Sequence, residues 1–317
     1  MEIDTLEGVQ LGGITQWIRV RGTDRSNPVL LLMQQGPGLP IINEVRTFER
    51  LLGLEKAFTV VYWDQRGTGL SLRNSKAEIS SARMIGDTVS LLELLGDRFG
   101  SKTFVAGFSF GATFAAWAAV QRPDLVAALV ATGMDIDVPL AENHTYDFLL
   151  STARRRGNRR AIRQLEKIGP PPHLEPKQFS TRARWAMNFG GVTANATFNS
   201  LARTFLASLL RSRDYSVTDV ARTVRGVTTT QAALLPELAT TDLVGSIPRL
   251  EVPIVIVQGR LDQVVPGQAA QRFYDSLTAP SKQLVWFEKS AHTPQYDEPE
   301  KFRDLLMKVR ASHLRNG

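Results

Sequence analysis

The apolar positions of this chain fall into short continuous runs separated by amphipathic stretches. The runs at 29–33 and 58–63 have turn residues at their ends and no polar alternation, the pattern of strands buried on both faces. Residues 103–106, 125–132, 254–258 and 283–287 predict further strands of the same kind. Alternation at 14–20 predicts a different, N-terminal strand, paired antiparallel with the segment around 9–11. Between these runs Ile85, Val89, Leu92, Leu95 and Phe99 follow a helical period, with Asp87, Glu93 and Asp97 on the other side. Helices are also expected over 112–120, which is alanine-rich, and near 267–277. A last helix starts at Pro299, a favoured first position, with Asp297 or Glu298 as its cap. Strands alternating with helices at this spacing predict an α/β fold, a mostly parallel sheet with helices on both faces.

The rhythm stops between 138 and 242. No convincing buried strand occurs there, only arginine-rich and aromatic segments broken by Gly169-Pro170-Pro171-Pro172. The expected organisation is an α/β core begun by residues 1–137, a helical cap inserted at 138–242, and the core completed by 243–317.

Composition narrows the classes. With 317 residues, 43% hydrophobic and 22% charged, the chain is an ordinary globular protein. No apolar run approaches the roughly 20 residues needed to span a bilayer, so a membrane partner is not expected. The start, Met1-Glu2-Ile3-Asp4, lacks the basic and apolar regions of a secretory signal. Zero cysteines exclude disulfides and thiolate chemistry and fit a cytoplasmic location. Four scattered histidines show no paired ligand spacing, and no metal site is expected. The net charge of +7 is local: residues 151–226 carry fifteen basic against four acidic side chains, an excess of eleven. Without a recognition motif, these arginines are expected on solvated helix faces rather than against nucleic acid. Nothing in the sequence speaks to oligomeric state.

Chemistry is concentrated in three places. Gly107-Phe108-Ser109-Phe110-Gly111 is a G-x-S-x-G pentapeptide between a strand and a helix. That context predicts a nucleophile elbow, in which flanking glycines relieve steric strain and lift the Ser109 hydroxyl above the sheet. His292 follows the strand at 283–287, where a base would take the serine proton and return it to the leaving group. Asp262 lies just beyond the strand at 254–258 and would hold the His292 tautomer. Asp135 and Asp137, which follow the strand ending at Thr132, are rivals for that acid. The order Ser, Asp, His along the chain belongs to this architecture and not to the two protease orders. His144, His173 and His313 lack such context and are expected to be surface or packing residues.

A tetrahedral oxyanion needs two donors. One would be the N–H of Phe110, and the other would come from the loop Gln34-Gln35-Gly36-Pro37-Gly38. Together with Asp64-Gln65-Arg66-Gly67-Thr68-Gly69-Leu70-Ser71, this loop resembles the proline iminopeptidase branch of the α/β-hydrolase family, which carries H-G-G-P-G and D-Q-R-G-x-G-x-S. The resemblance covers roughly residues 10–137 and 250–310. It implies an α/β-hydrolase fold, Gly36 as the oxyanion glycine, and Ser109, Asp262 and His292 as a triad working without cofactor. It also implies that Asp64 and Arg66 make internal contacts. Gln34 and Gln35 depart from the family's His and Gly. Gln34 would stand in as a hydrogen-bonding side chain; Gln35 is expected first to be a tolerated loop substitution, the alternatives being that it reshapes the loop or projects an amide towards the substrate.

The cap's aromatic residues, Phe148, Phe179, Trp185, Phe189, Phe198, Phe205 and Tyr215, are expected mainly to pack, with a minority lining a pocket. Family aminopeptidases hold a substrate's α-amino group with cap carboxylates. Here the central cap is poor in acids, leaving Asp135, Asp137, Glu142, Asp147 and Glu237 at its edges. The expected activity is therefore that of a serine hydrolase acting on an ester, lactone or amide bond of a small, largely apolar substrate. A proline iminopeptidase-type aminopeptidase, a non-hydrolytic lyase or cyclase, and a catalytically silent binding protein are the rivals.

Overall fold

The computed structural model describes residues 2–73, 77–193 and 196–316, the last three by backbone alone. Eight strands form one sheet: β1 (Ile3–Leu11), β2 (Ile14–Gly22), β3 (Val29–Met33), β4 (Thr59–Asp64), β5 (Thr103–Phe108), β6 (Val126–Thr132), β7 (Ile254–Gly259) and β8 (Lys282–Phe287). Their spatial order is β1-β2-β4-β3-β5-β6-β7-β8. The hairpin β1–β2 is antiparallel and joins β4 antiparallel; every later pairing is parallel.

The unbroken apolar runs are explained by two cores. Leu31 and Met33 of β3 point into a cluster with helices α2 (Ser81–Phe99) and α3 (Phe110–Gln121), while Leu30 and Leu32 point into the opposite one with α1 (Val45–Leu52). A strand with helices on both faces has no solvent side for a polar alternation. β1 is the contrast: it lies at the sheet edge with Asp4 and Thr5 exposed, so only its last residues carry a sequence signal.

Between β6 and β7 every regular element among the described residues is helical: α4 (Val138–Arg155), α5 (Arg159–Ile168), α6 (Pro176–Asn188), α7 (Phe198–Arg211), α8 (Val217–Leu238) and the short α9 (Leu243–Ser246). The chain leaves the sheet and returns at one point. Asp137 and Asp242 form an isolated bridge, flanked by Val138 N–H to Thr241 O at 2.9 Å and Leu243 N–H to Ile136 O at 2.7 Å. The segment has its own core, in which Leu149, Ala153, Leu165, Trp185 and Phe189 are buried together.

The chain closes with α10 (Gly267–Ser276), a single turn α11 (Pro294–Asp297) and α12 (Pro299–Asn316). The two carboxylates before α12 both reach back to the loop after β8. Asp297 accepts the Ala291 N–H at 3.1 Å, and Glu298 accepts the Ser290 hydroxyl at 2.6 Å. The cap residues foreseen for the helix thus also tie down the loop that carries His292.

Candidate active site

Ser109 sits between β5 and α3 with φ 52° and ψ −128°, and it is the one non-glycine residue with positive φ among the described residues. An L-residue persists in that region only when its surroundings over-determine it. Here Ser109 N–H donates to Thr132 O at 2.8 Å, and Gly111 lets the turn press against the next loop. A Cβ at Gly111 would lie 2.2 Å from Gln34 O, so only glycine allows this approach. The same contact holds the Gln34-Gln35-Gly36 loop beside the first turn of α3. Gln35, Gly36, Ser109 and Phe110 all line one cavity.

Behind the serine, Asp262 and His292 are joined. His292 Nδ1 lies 2.9 Å from Asp262 Oδ2, and both side chains are buried. Asp262 is fixed in turn: its Oδ1 accepts the N–H groups of Val264 and Val265 at 2.7 and 2.9 Å, and Gln258 Nε2 approaches Oδ2 at 3.3 Å. The two loops touch through Gly259, where a Cβ would lie 1.8 Å from Ala291 O. Burial alone would lower the pKa of His292, but the Asp262 carboxylate, by charge and hydrogen bond, and Asp135 raise it above the usual histidine value.

Asp135 is not the partner of the histidine, although it lines the cavity beside Ser109. It does not bond to His292; its Oδ2 accepts the Ser109 hydroxyl at 2.8 Å. It is buried, and burial pushes its carboxyl up to about 6, against the opposing pull of His292 and the Ser109 bond. Asp137 instead caps α4 through Leu140 N–H at 2.9 Å. No hydrogen bond joins Ser109 to His292, although both line the cavity. Contacts between a candidate nucleophile and its base are commonly loose before substrate binds.

The cavity measures about 380 Å³ and its walls are mainly apolar, with Val138, Phe179, Phe198, Val227, Leu235 and Leu238 contributed by α4, α6, α7 and α8. Phe179 and Phe198 are thus the two named aromatics that face it, while Trp185 and Phe189 pack inside the helical segment. The charged lining includes Glu142 and Arg182, which are ion-paired across α4 and α6. Arg182 is one of the arginines expected on solvated helix faces, yet its side chain is only 11% exposed. No composition or period marks which arginine of such a run turns inward. A buried glutamate that needs a partner is the signal, and it requires knowing that Glu142 is buried. Asp147 is exposed, and Glu237 holds the Ser81 N–H outside the cavity.

The D-Q-R-G segment faces away from the cavity. Asp64 accepts the N–H groups of Ile41, Ile42 and Leu70 and the Tyr215 hydroxyl, and Arg66 pairs with buried Asp87 at 2.7 Å. Gln34 is buried, but its amide makes a single long contact, 3.5 Å to Thr68 Oγ1. His144 bonds Gln263, His173 bonds the Gly169 carbonyl, and His313 packs edge-on against Phe104. Among the described residues no group of three potential ligands could hold a metal ion, and no helix is long and apolar enough to cross a membrane.

Comparison with known proteins agrees with this architecture. The family described as serine aminopeptidase, S33, matches residues 52–299. The probable aminopeptidase YbaC of Bacillus subtilis (strain 168) is 31% identical over 316 residues, with 98% of each chain covered. The proline iminopeptidase of Mycobacterium smegmatis superposes with a TM-score of 0.65 at 16% identity, covering 98% of each chain. A 2-hydroxy-6-oxo-6-phenylhexa-2,4-dienoate hydrolase from Rhodococcus sp. strain RHA1 gives 0.66 at 18% identity, over 99% of this chain and 100% of that one. At such identities the superpositions speak for the fold alone.

Proposed function

The chain belongs to the serine aminopeptidase S33 family of α/β-hydrolases, and from that premise we propose that it is a serine hydrolase cleaving an ester, lactone or amide bond of a small, largely apolar substrate. The observation that carries this reading is the buried Asp262–His292 pair and Ser109 facing one apolar cavity. Ser109 Oγ attacks the carbonyl while His292 takes its proton, and Asp262 keeps the proton on Nδ1 and stabilises the imidazolium. The N–H groups of Phe110 and Gly36 receive the oxyanion, with the N-terminus of α3 favouring the charge. The leaving group departs with the proton from His292, and water activated by the same base resolves the acyl-enzyme. Before attack, the Ser109 hydroxyl has to leave Asp135 and turn to His292. Helices α4 to α8 act as a cap that excludes water and selects the substrate. A screen of aryl esters and amides with the wild-type protein and Ser109→Ala tests the reading: turnover is expected only with the serine in place.

An aminopeptidase activity is the second reading, and Asp135 favours it. An α-ammonium group sits one carbon from the scissile carbonyl, which is where a carboxylate touching the nucleophile would receive it. Glu142 is less suited, because Arg182 and the His173 N–H occupy its two oxygens. Preference for amino-acid arylamides with a free amine over their N-acetyl forms, lost in Asp135→Asn, supports this reading; equal rates on both forms reject it.

A further inference from the structure

Arg182 is the one arginine among the described residues that line the cavity. It projects from α6, with Nη1 donating to Glu142 Oε1 and lying 3.3 Å from His173 Nδ1. The His173 tautomer follows: Nδ1 accepts, so Nε2–H donates to Gly169 O at 3.0 Å. Burial, with Arg182 beside it, holds the pKa of His173 below the usual value, so the ring adds no second charge. Glu142 is held on its far side by the His173 N–H at 3.1 Å. The guanidinium is therefore gripped by one nitrogen, and the Phe179 ring lies 5.3 Å from Cζ. Its Nε and Nη2 make no hydrogen bond to any described residue.

That pattern is informative because of guanidinium geometry. Nε and Nη2 form a planar edge with two parallel donors, spaced to meet both oxygens of a carboxylate. An arginine present only to neutralise Glu142 would use such an edge on it. Here Glu142 takes Nη1 alone, and the two-donor edge is left without a protein partner on a residue that lines the mainly apolar cavity. Donors left without a protein partner are available to a ligand that can accept from both at once. Asp135 supplies direction. Arg182 is close enough to pull on the Asp135 carboxyl, so the two charges share one electrostatic neighbourhood. Glu142 balances the charge of Arg182, so the free donor edge is what draws a carboxylate to this end, while Asp135 repels it from the Ser109 end.

We propose that Arg182 is a specificity-determining residue and that the substrate carries a carboxylate, bound by its Nε–Nη2 edge, distal to the carbonyl that Ser109 attacks. This rests on the hydrolase reading above. It narrows the substrate class to monoesters or monoamides whose acyl chain ends in a second, ionised carboxyl group.

The test uses the full-length protein and paired 4-nitrophenyl esters: adipate and suberate half-esters, with a terminal carboxylate, against hexanoate and octanoate. The readout is the ratio of kcat/KM within each pair, measured on one preparation. The wild type is expected to favour the carboxylate about ten- to hundredfold at the matching chain length, as charge-assisted bidentate bonds allow. In Arg182→Lys the ammonium still pairs with Glu142 but cannot present the fork, and the ratio should fall by about tenfold. The double variant Arg182→Gln with Glu142→Gln, which leaves no unpaired buried charge, should bring the ratio to unity or below, because Asp135 then acts alone. A wild type that turns over the neutral esters without preferring the carboxylate overturns the proposal, as does a preference that survives in both variants. Failure of the wild type on every ester sinks the hydrolase reading itself, and this proposal with it.

Discussion

The hydroxyl of Ser109 donates its hydrogen bond to Asp135 Oδ2 at 2.8 Å, while His292 is held by Asp262 on its other side. Ser109 and His292 thus each have a carboxylate, and His292 feels both. Two carboxylates around one imidazole have separable consequences for stability, pH dependence and rate.

Asp135→Asn should stabilise the protein at neutral pH. A buried carboxyl raised to about 6 binds its proton more tightly folded than unfolded, so stability falls as pH rises from the unfolded value through about 6. The difference of about two units corresponds to about 3 kcal/mol at most. Urea denaturation should show the variant more stable at pH 7.5, with the gain vanishing below pH 4. A gain that is the same at both pH values contradicts this cause.

The same substitution should move the acidic limb of kcat/KM to lower pH. In the proposed mechanism His292 works as a base only when neutral, and the Asp135 charge is one of the contributions that raise its pKa. Without that charge the histidine loses its proton at a lower pH. A pH–rate profile with an aryl ester reads this directly, and a limb moving upward would assign Asp135 another part.

Asp262→Asn should reduce kcat by roughly ten-thousandfold, because the amide permits the wrong histidine tautomer. Asp135→Asn should cost far less on a neutral ester, since Asp135 makes no bond to the ring. Single-turnover measurements on both variants separate the two acids. Equal losses would mean that His292 can take its orientation from either.

Gly111→Ala should lose at least about 2 kcal/mol of stability, because its Cβ would stand 2.2 Å from the Gln34 carbonyl. Whatever folds should be slow, since the elbow and the Gly36 loop are forced apart. Thermal melting together with kcat on an aryl ester checks both. By contrast, Arg66→Leu should cost about 3–5 kcal/mol by leaving Asp87 buried without its partner. Enough wild-type activity should survive in its folded fraction to show that Arg66 does not touch substrate.

The sheet was legible because β3 to β7 are buried along their whole length, which suppresses polar alternation over whole runs, and the edge strand β8 keeps the apolar run Leu284 to Phe287. The start of β1 was not legible, since residues such as Asp4 and Thr5 face water at an edge and carry no apolar signal. Ser109, Asp262 and His292 could be named because each follows a recognisable strand. Asp135 had the same kind of address, but its partner could not be read from it, because the bond to Ser109 depends on how β5 and β6 end beside each other. Arg182 was hidden for a plainer reason. Fifteen basic residues in one segment share the same local pattern, and only the fold of α4 against α6 turns this one towards Glu142.

The central claim is that Ser109 is a nucleophile activated by His292. Treatment of the intact protein with a fluorophosphonate, followed by mass spectrometry of the digested protein, tests it most directly. A single phosphonylated site at Ser109, with labelling lost in Ser109→Ala and strongly slowed in His292→Ala, is the expected result. An unlabelled Ser109 in protein that retains esterase turnover, or turnover that persists in Ser109→Ala, would contradict the claim.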